Sequence, residues 1–336
     1  MHRYWLLLII LSAGCIGSTE ETYYQREQLE QSTGFLDVAV AYPYAYVTSS
    51  WGLNIIDFSD VRNPRLVGSL PTRGQAEGVF IKDSRVFVCD GLQGLKVVDV
   101  SNPESPQVVG QFTYRGNLKQ IEIEDDLAYV ANFNYVNGLL VLNVSDVSNI
   151  TLVGEFDPPG YEHVRDLFVD EKYVYLADFT GGLQIVEKDT LRLVSTYQTR
   201  GVAYSVAVKD GIAVLADSDA GVEVINVSNP EEPHQVAKLH TMGYAIRVEL
   251  MDWLAFVTTG TDGLYIFNLS TPHRPKLVAR YDTPGNAFGF DIDGSYLYLA
   301  DFDNGLLVLD ISNPAAPRLI SRFPVPGQDE KGGGGD

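Results

Sequence analysis

Seven glycines recur along the chain at intervals of about forty-two residues: Gly52, Gly94, Gly138, Gly182, Gly221, Gly263 and Gly305. Each is followed by a short apolar run: 53–57 (LNIID), 95–99 (LKVVD), 139–143 (LLVLN), 183–187 (LQIVE), 222–226 (VEVIN), 264–268 (LYIFN) and 306–310 (LLVLD). A fixed period of this size built from short strands marks a repeat architecture. One unit cannot bury its own apolar surface and must stack on its neighbours.

Each repeat divides into four strands. In the second, residues 79–81, 86–89, 95–100 and 107–112 are apolar or alternating runs separated by Gly-, Pro-, Asn- and Asp-containing turns. Period-2 alternation and β-branched residues point to strands and hairpins rather than helices. Four antiparallel strands in a unit of this length describe a propeller blade, and seven units describe an all-β, seven-bladed β-propeller. A second series, Gly34, Gly74, Gly116, Gly160, Gly201, Gly243 and Gly285, falls where one blade ends and the next begins. The expectation at these positions is positive φ in a tight crossover, which glycine adopts at little steric cost. Residues 36–40 are read as the inner strand of blade one and 318–323 as the outer strand of blade seven. No strand exchange is encoded, so the ring is expected to close by packing of blade faces. Blade four is the most divergent, with Glu187-Lys188-Asp189-Thr190 in place of the usual Asp-Val-Ser-Asn-Pro turn.

The segments 53–60 (LNIIDFSD), 95–103 (LKVVDVSNP), 222–230 (VEVINVSNP) and 306–314 (LLVLDISNP) resemble the LVIVD-repeat proteins. That family is bacterial and archaeal, mostly extracytoplasmic, and forms β-propellers. The resemblance covers almost all of the chain beyond its first thirty or so residues and implies the propeller fold. It brings no catalytic residues.

The N-terminus supplies an address. Arg3 precedes a short apolar run, 5–11, which is too short to span a bilayer and fits the core of a signal peptide. Ser12-Ala13-Gly14-Cys15 resembles a lipobox, with Ser12 where Leu or Val is usual. In this reading Cys15 is acylated and anchors the chain outside the cytoplasmic membrane. The competing reading is ordinary signal cleavage with Cys15 incidental. The expected organisation is a signal peptide over 1–15, a flexible tether over 16–32, the propeller over 33–325 and a Gly-rich tail over 326–336. The tether spans roughly 20–25 Å as a coil.

A formal charge of −20 argues against nucleic acid as a partner, because phosphate binding needs basic patches. If Cys15 is lipidated, Cys89 has no partner for an intramolecular disulfide. Cys89 aligns with Thr48, Ala131, Ala177, Ala216, Thr258 and Ala300, a column of small residues, and so reads as packing rather than redox chemistry.

The next column is polar: Ser49, Asp90, Asn132, Asp178, Asp217, Thr259 and Asp301. It reads either as a carboxylate ring for metal or as a set of caps, each accepting N–H bonds from its own hairpin. Recurrence in nearly every blade favours caps. No metal or cofactor is implied. Of the five histidines, only His163, within Tyr161-Glu162-His163-Val164-Arg165-Asp166, sits in a cluster that could bind an anion or move a proton; a solvated loop is the alternative. Of the four N-x-S/T sequons, Asn143, Asn226 and Asn268 are explained by the repeat itself, and Asn149 is not.

Because strands alternate direction, the blade-to-blade crossovers and the second-to-third-strand hairpins share one face. That face gathers Trp51, Phe133, Tyr135, Phe179 and Phe302 from hairpins and Tyr114, Tyr161 and Tyr244 from crossovers. Asp37, Glu77, Lys119, Gln120, Arg165, Asp166, Ser205 and Arg247 are expected around the channel mouth. The aromatics either form a binding surface or pad the crossovers. The candidate ligand-binding set is Tyr135, Tyr161, His163, Arg165, Asp166, Phe179 and Arg247, for an unidentified protein, small molecule or glycan. The face bearing the Ser-Asn-Pro turns reads as blander. A binding module without evident catalysis fits this pattern best. A propeller hydrolase or dehydrogenase with a channel-mouth site, or a structural envelope component, are the alternatives.

Overall fold

The structure, a computed structural model, describes residues 34–134, 137–160 and 163–326. Seven four-stranded antiparallel sheets follow one another along the chain, over 35–71, 79–112, 118–156, 166–197, 205–239, 247–281 and 290–323. Among the described residues the one helical element is a 3₁₀ turn, Val147–Asn149. The inner strand of blade one is Phe35–Ala41 and the outer strand of blade seven is Arg318–Phe323.

The two middle strands of each blade are buried on both faces. Ile212–Ala216 is buried throughout, and Leu95–Asp99 at four of its five positions. This is why they read as near-continuous apolar runs rather than alternating ones. Seven apolar clusters lie between neighbouring blades, one at each interface. Phe87, Cys89 and Val97 of blade two, for example, pack on Leu118, Ile121 and Val130 of blade three. Each fully buried Leu, Ile, Val or Phe contributes about 1.5–3 kcal/mol relative to exposure, so the fold rests on these interfaces.

The outer strands are exposed edges, and every one carries a β-bulge at its third residue: Val67, Val109, Val153, Val194, Val236, Val278 and Ile320. A bulge twists an edge and blocks pairing with another chain. The next residue is small because the following blade's turn docks there. A Cβ on Gly68 would lie 2.0 Å from the carbonyl oxygen of Pro103. Where serine stands instead, its hydroxyl donates to that oxygen: Ser195 to Pro230 and Ser321 to Val61, each at 2.6 Å.

Ser321 to Val61 joins blade seven to blade one. No strand is exchanged at this junction. Face packing does most of the work, with Phe58 edge-on to Tyr298 at 5.1 Å and both side chains buried. Three hydrogen bonds add to it: Phe35 N to Phe302 O, Gly289 N to Leu36 O, and Val40 N to the Asp291 carboxylate.

The hairpin glycines take positive φ, from +76° at Gly263 to +130° at Gly52, with Gly138 outside the series. The crossover glycines differ from expectation. Only Gly160 has positive φ. Gly74, Gly201, Gly243 and Gly285 are required by close approach: a Cβ on Gly201 would lie 2.3 Å from the carbonyl oxygen of Asp217.

Candidate functional site

The crossovers and the hairpins that meet them do share one face. Hairpin residues bridge to the crossover entering the next blade, as Phe179 does to Ala203 and Ser218 to Ala245. The polar column stitches this face together. Asp90, Asp217 and Asp301 accept from the backbone N–H of Gly74, Gly201 and Gly285 at 3.1, 2.9 and 2.8 Å, and Asn132 accepts from Asn117 at 2.9 Å. The column is a set of caps, but for these four the donor belongs to the crossover sixteen or fifteen residues earlier, whereas Ser49 accepts from Trp51 N and Thr259 donates to Gly263 O within their own hairpins, as anticipated.

Strand register sorts the channel into layers. Asp37, Gln120, Asp166, Ser205 and Arg247 lie opposite the small-residue column and form one layer. Gln120 donates to Asp37 at 3.0 Å, and Arg247 donates to Asp166 at 3.3 Å and to Glu249 at 3.2 Å. Burial drives the Asp37 pKa up, with Arg247 opposing the shift. Burial also opposes charge on Arg247, but Asp166, Asp37 and Glu249 outweigh it and raise its pKa, so the guanidinium stays charged.

Two residues further along the inner strands, burial pushes Glu122 up to about 7 and Glu249 to about 8, in each case against the pull of Arg247. Asp291 rises to about 6, mainly by burial. These three residues escaped the sequence reading. Their only signal is the recurrence of carboxylates two positions beyond the channel ring.

One residue toward the crossover face, blades three to five build an aromatic cap. Phe133 stacks on His163 with ring centroids 4.3 Å apart and meets Phe179 edge-on at 5.5 Å. Phe179 meets Tyr204 at 6.0 Å. The Arg165 guanidinium lies between two rings, 5.1 Å from the centroid of Phe133 and 4.8 Å from that of Tyr204. Lys119 approaches Phe133 at 5.5 Å and pairs with Glu77. Such cation–ring contacts strengthen as water is excluded. The backbone fixes the parts: Phe133 N donates to Asn117 O and Arg165 N to Ala177 O, while Phe179 sits at φ +35° where its carbonyl meets Ala203 N. Phe133, Arg165 and Tyr204 are buried, while His163 and Phe179 are half-buried.

The structure therefore brings together His163, Arg165 and Phe179 of the anticipated set and adds Phe133, Lys119 and Tyr204. Asp166 and Arg247 form an ion pair one layer deeper. Cys15, Tyr135 and Tyr161 lie outside the described residues. The contacts to Phe133 and Tyr204 hold the Arg165 guanidinium within the cap.

The remaining aromatics do not make one continuous surface. Phe302 is fully buried against Phe288 at the ring closure, and Tyr114 bonds to Asn137 and Glu155. Trp51 and Tyr244 stand exposed. The turn face is less bland than expected, because open channel volume runs toward it along the inner strands of blades three to six. Cys89 is buried and its thiol is pushed well up by burial, in keeping with a packing slot. Among the described residues no three His, Cys, Asp or Glu side chains are arranged to hold a metal.

None of the curated proteins matches the chain in sequence. Solved structures share its fold at low identity. A computationally designed protein, Ika8, is 9% identical with a TM-score of 0.61, over 82% of this chain and 96% of that one. The β-propeller domain of Cps50 (Swd1) from Myceliophteria thermophila is 10% identical with a TM-score of 0.66, over 83% and 96%. BamB from Moraxella catarrhalis is 14% identical with a TM-score of 0.58, over 83% and 84%. These likenesses speak to the propeller alone. The LVIVD repeat model matches seven successive segments, 36–72, 73–113, 115–158, 162–188, 200–241, 242–283 and 284–325, and is shortest in the divergent fourth blade. Seven matched repeats on seven blades place the chain in the LVIVD-repeat family.

Proposed function

We propose that this propeller is a lipid-anchored binding module outside the cytoplasmic membrane, tethered through Cys15 and engaging a protein, small molecule or glycan on its crossover face. The observation that carries the reading is the cap of blades three to five. There two half-buried rings, His163 and Phe179, pack against the Phe133 ring that, with Tyr204, contacts the Arg165 guanidinium at the channel end. Aromatic rings beside a fixed cation give a flat, rigid contact area with directional polarity, which is what interface anchors supply. The apolar run 5–11 and the Ser12-Ala13-Gly14-Cys15 that follows it support the address. One acyl chain holds a protein to a membrane only marginally, so the mature cysteine should carry more than one.

The test combines fractionation with binding. Cys15→Ala should move the protein from the membrane to the soluble fraction, and intact mass should show a multiply acylated N-terminus on the unmutated protein. The double variant His163→Ala/Phe179→Ala should lose at least about tenfold in affinity for the captured ligand, some 1.4 kcal/mol, while its melting temperature stays within a few degrees. An unacylated mature N-terminus would refute the anchor. Unchanged affinity in the double variant would refute the site.

A further inference from the structure

Blades three to six line a half-open cavity of about 330 Å³ along the channel, beyond the ionic layer and toward the turn face. It is distinct from the aromatic cap, which lies at the opposite end of the same inner strands. The charged groups on its wall are Glu122, Asp166, Lys209, Arg247 and Glu249. Arg247 is already committed to Asp166 and Glu249. Glu122 accepts from the backbone N–H of Val169. The other residues along it include Val206, Val208 and Leu250, and the wall as a whole mixes polar and apolar surface.

We propose that this cavity binds a small organic ammonium ion, with its charge between Glu122 and Glu249 and its alkyl part against Val206, Val208 and Leu250. The size falls at the lower end of small-ligand pockets, and a wall of mixed polar and apolar surface sets charged groups beside apolar side chains. The sign of the charge comes from the whole surround. Glu122 faces Glu124 on its own strand, Asp166 from blade four, Lys209 from blade five, and Arg247 and Glu249 from blade six; Asp37 and Asp291 add negative charge from blades one and seven. Carboxylates outnumber cations, so as they ionise the low-dielectric walls concentrate a negative field. A bare metal ion would need converging oxygens, and no three His, Cys, Asp or Glu side chains among the described residues converge in that way, which favours an organic cation.

With Glu122 titrating near 7 and Glu249 near 8, the empty cavity holds protons at neutral pH. An entering ammonium ion favours the carboxylate forms, so each such site it occupies releases its proton to the buffer. Affinity should rise with pH through about 8 and fall above about 10, where a primary amine loses its own charge.

The test is titration calorimetry of the full chain with n-butylammonium chloride and sodium n-butyrate, in buffers of different ionisation enthalpy, between about pH 6 and pH 9. Butylammonium should bind at least about tenfold more tightly at the upper pH, with proton release near neutrality, and butyrate should not bind. Glu122→Gln, isosteric and uncharged, should weaken butylammonium about tenfold or more at the upper pH. Lys209→Gln, at the rim, should tighten it several-fold and serves should Glu122→Gln fail to fold. Equal binding of butyrate would identify a merely apolar hole and overturn the proposal. So would absence of butylammonium binding at tens of millimolar, or unchanged affinity in a folded variant.

Discussion

Asp217 and Glu223 in blade five are both buried, at 0% and 1% exposure. Burial raises the Asp217 pKa to about 6, and the neighbouring Glu223 charge adds to the shift. Other blades resolve the same pair of positions differently: Lys96 forms an ion pair with Asp90, and Gln184 donates to Asp178 at 3.2 Å. A raised carboxyl pKa means the folded state holds its proton more tightly than the unfolded chain. The stabilisation from Asp217 is therefore present in acid and is lost as pH climbs from about 4 through about 6. Glu223→Gln can still accept the Tyr197 hydroxyl, which reaches Glu223 at 2.8 Å, and can donate to Asp217 as Gln184 does to Asp178. It should stabilise the fold by on the order of 1 kcal/mol at pH 7–8, with the gain vanishing near pH 4. Melting curves across that range decide it, and lower stability of the variant at pH 8 would contradict the reading. The residue scale also shows what sequence alone conceals. Phe133, His163, Arg165 and Phe179 could be placed on one face from strand direction. Tyr204 could not, because its column holds Glu77, Lys119, Arg165 and Phe288 in other blades and carries no common chemistry. Glu122 and Glu249 were hidden for a similar reason: they sit on ordinary alternating strands, and only the channel's depth makes them unusual.

At the scale of elements, the two glycine series looked alike in sequence and do different work. Hairpin glycines supply a left-handed backbone, whereas crossover glycines leave room for a carbonyl from the hairpin above. The period located both, but distinguishing a φ requirement from a contact requirement needs the neighbouring chain. The two demands separate in a pair of substitutions. Gly294 has φ +59° and nothing within 4 Å of an added Cβ, so Gly294→Ala should cost only about 1 kcal/mol of backbone strain. Gly201 lacks positive φ but its Cβ would strike the Asp217 carbonyl at 2.3 Å and would strain the crossover that the Asp217 carboxylate holds. Gly201→Ala should cost about 2 kcal/mol or more. Denaturant titration gives both values, and the reverse order would show that the crossover tolerates a side chain. The same comparison explains blade four. Its divergent turn leaves Leu191 at φ +53°, with its side chain against Gly154 where other blades dock a turn carbonyl.

For the whole molecule, the ring closes through the same kind of interface that joins every other pair of blades, as the absence of a spare strand in the repeat count implied. The hydrogen bonds across blades seven and one were not legible, because they depend on a register between segments some 250 residues apart. Phe58→Ala removes a fully buried ring from this interface and should cost about 3–5 kcal/mol. Because no strand exchange singles out the junction, calorimetry should show one cooperative transition at lower temperature; a separate early transition would mean that the closure unfolds alone. A rigid ring presents two unlike ends: the crossover face with its aromatic cap, and the turn face above the acidic cavity. The central functional claim is that a partner or ligand engages the first. Photo-cross-linking in intact cell envelopes tests this most directly, with a benzophenone side chain placed singly at the exposed positions Arg115 and Thr180 on the crossover face, and Asn102 and Asn313 on the turn face. The account predicts covalent adducts at Arg115 and Thr180 that disappear in the His163→Ala/Phe179→Ala background. Adducts confined to Asn102 and Asn313 would contradict it.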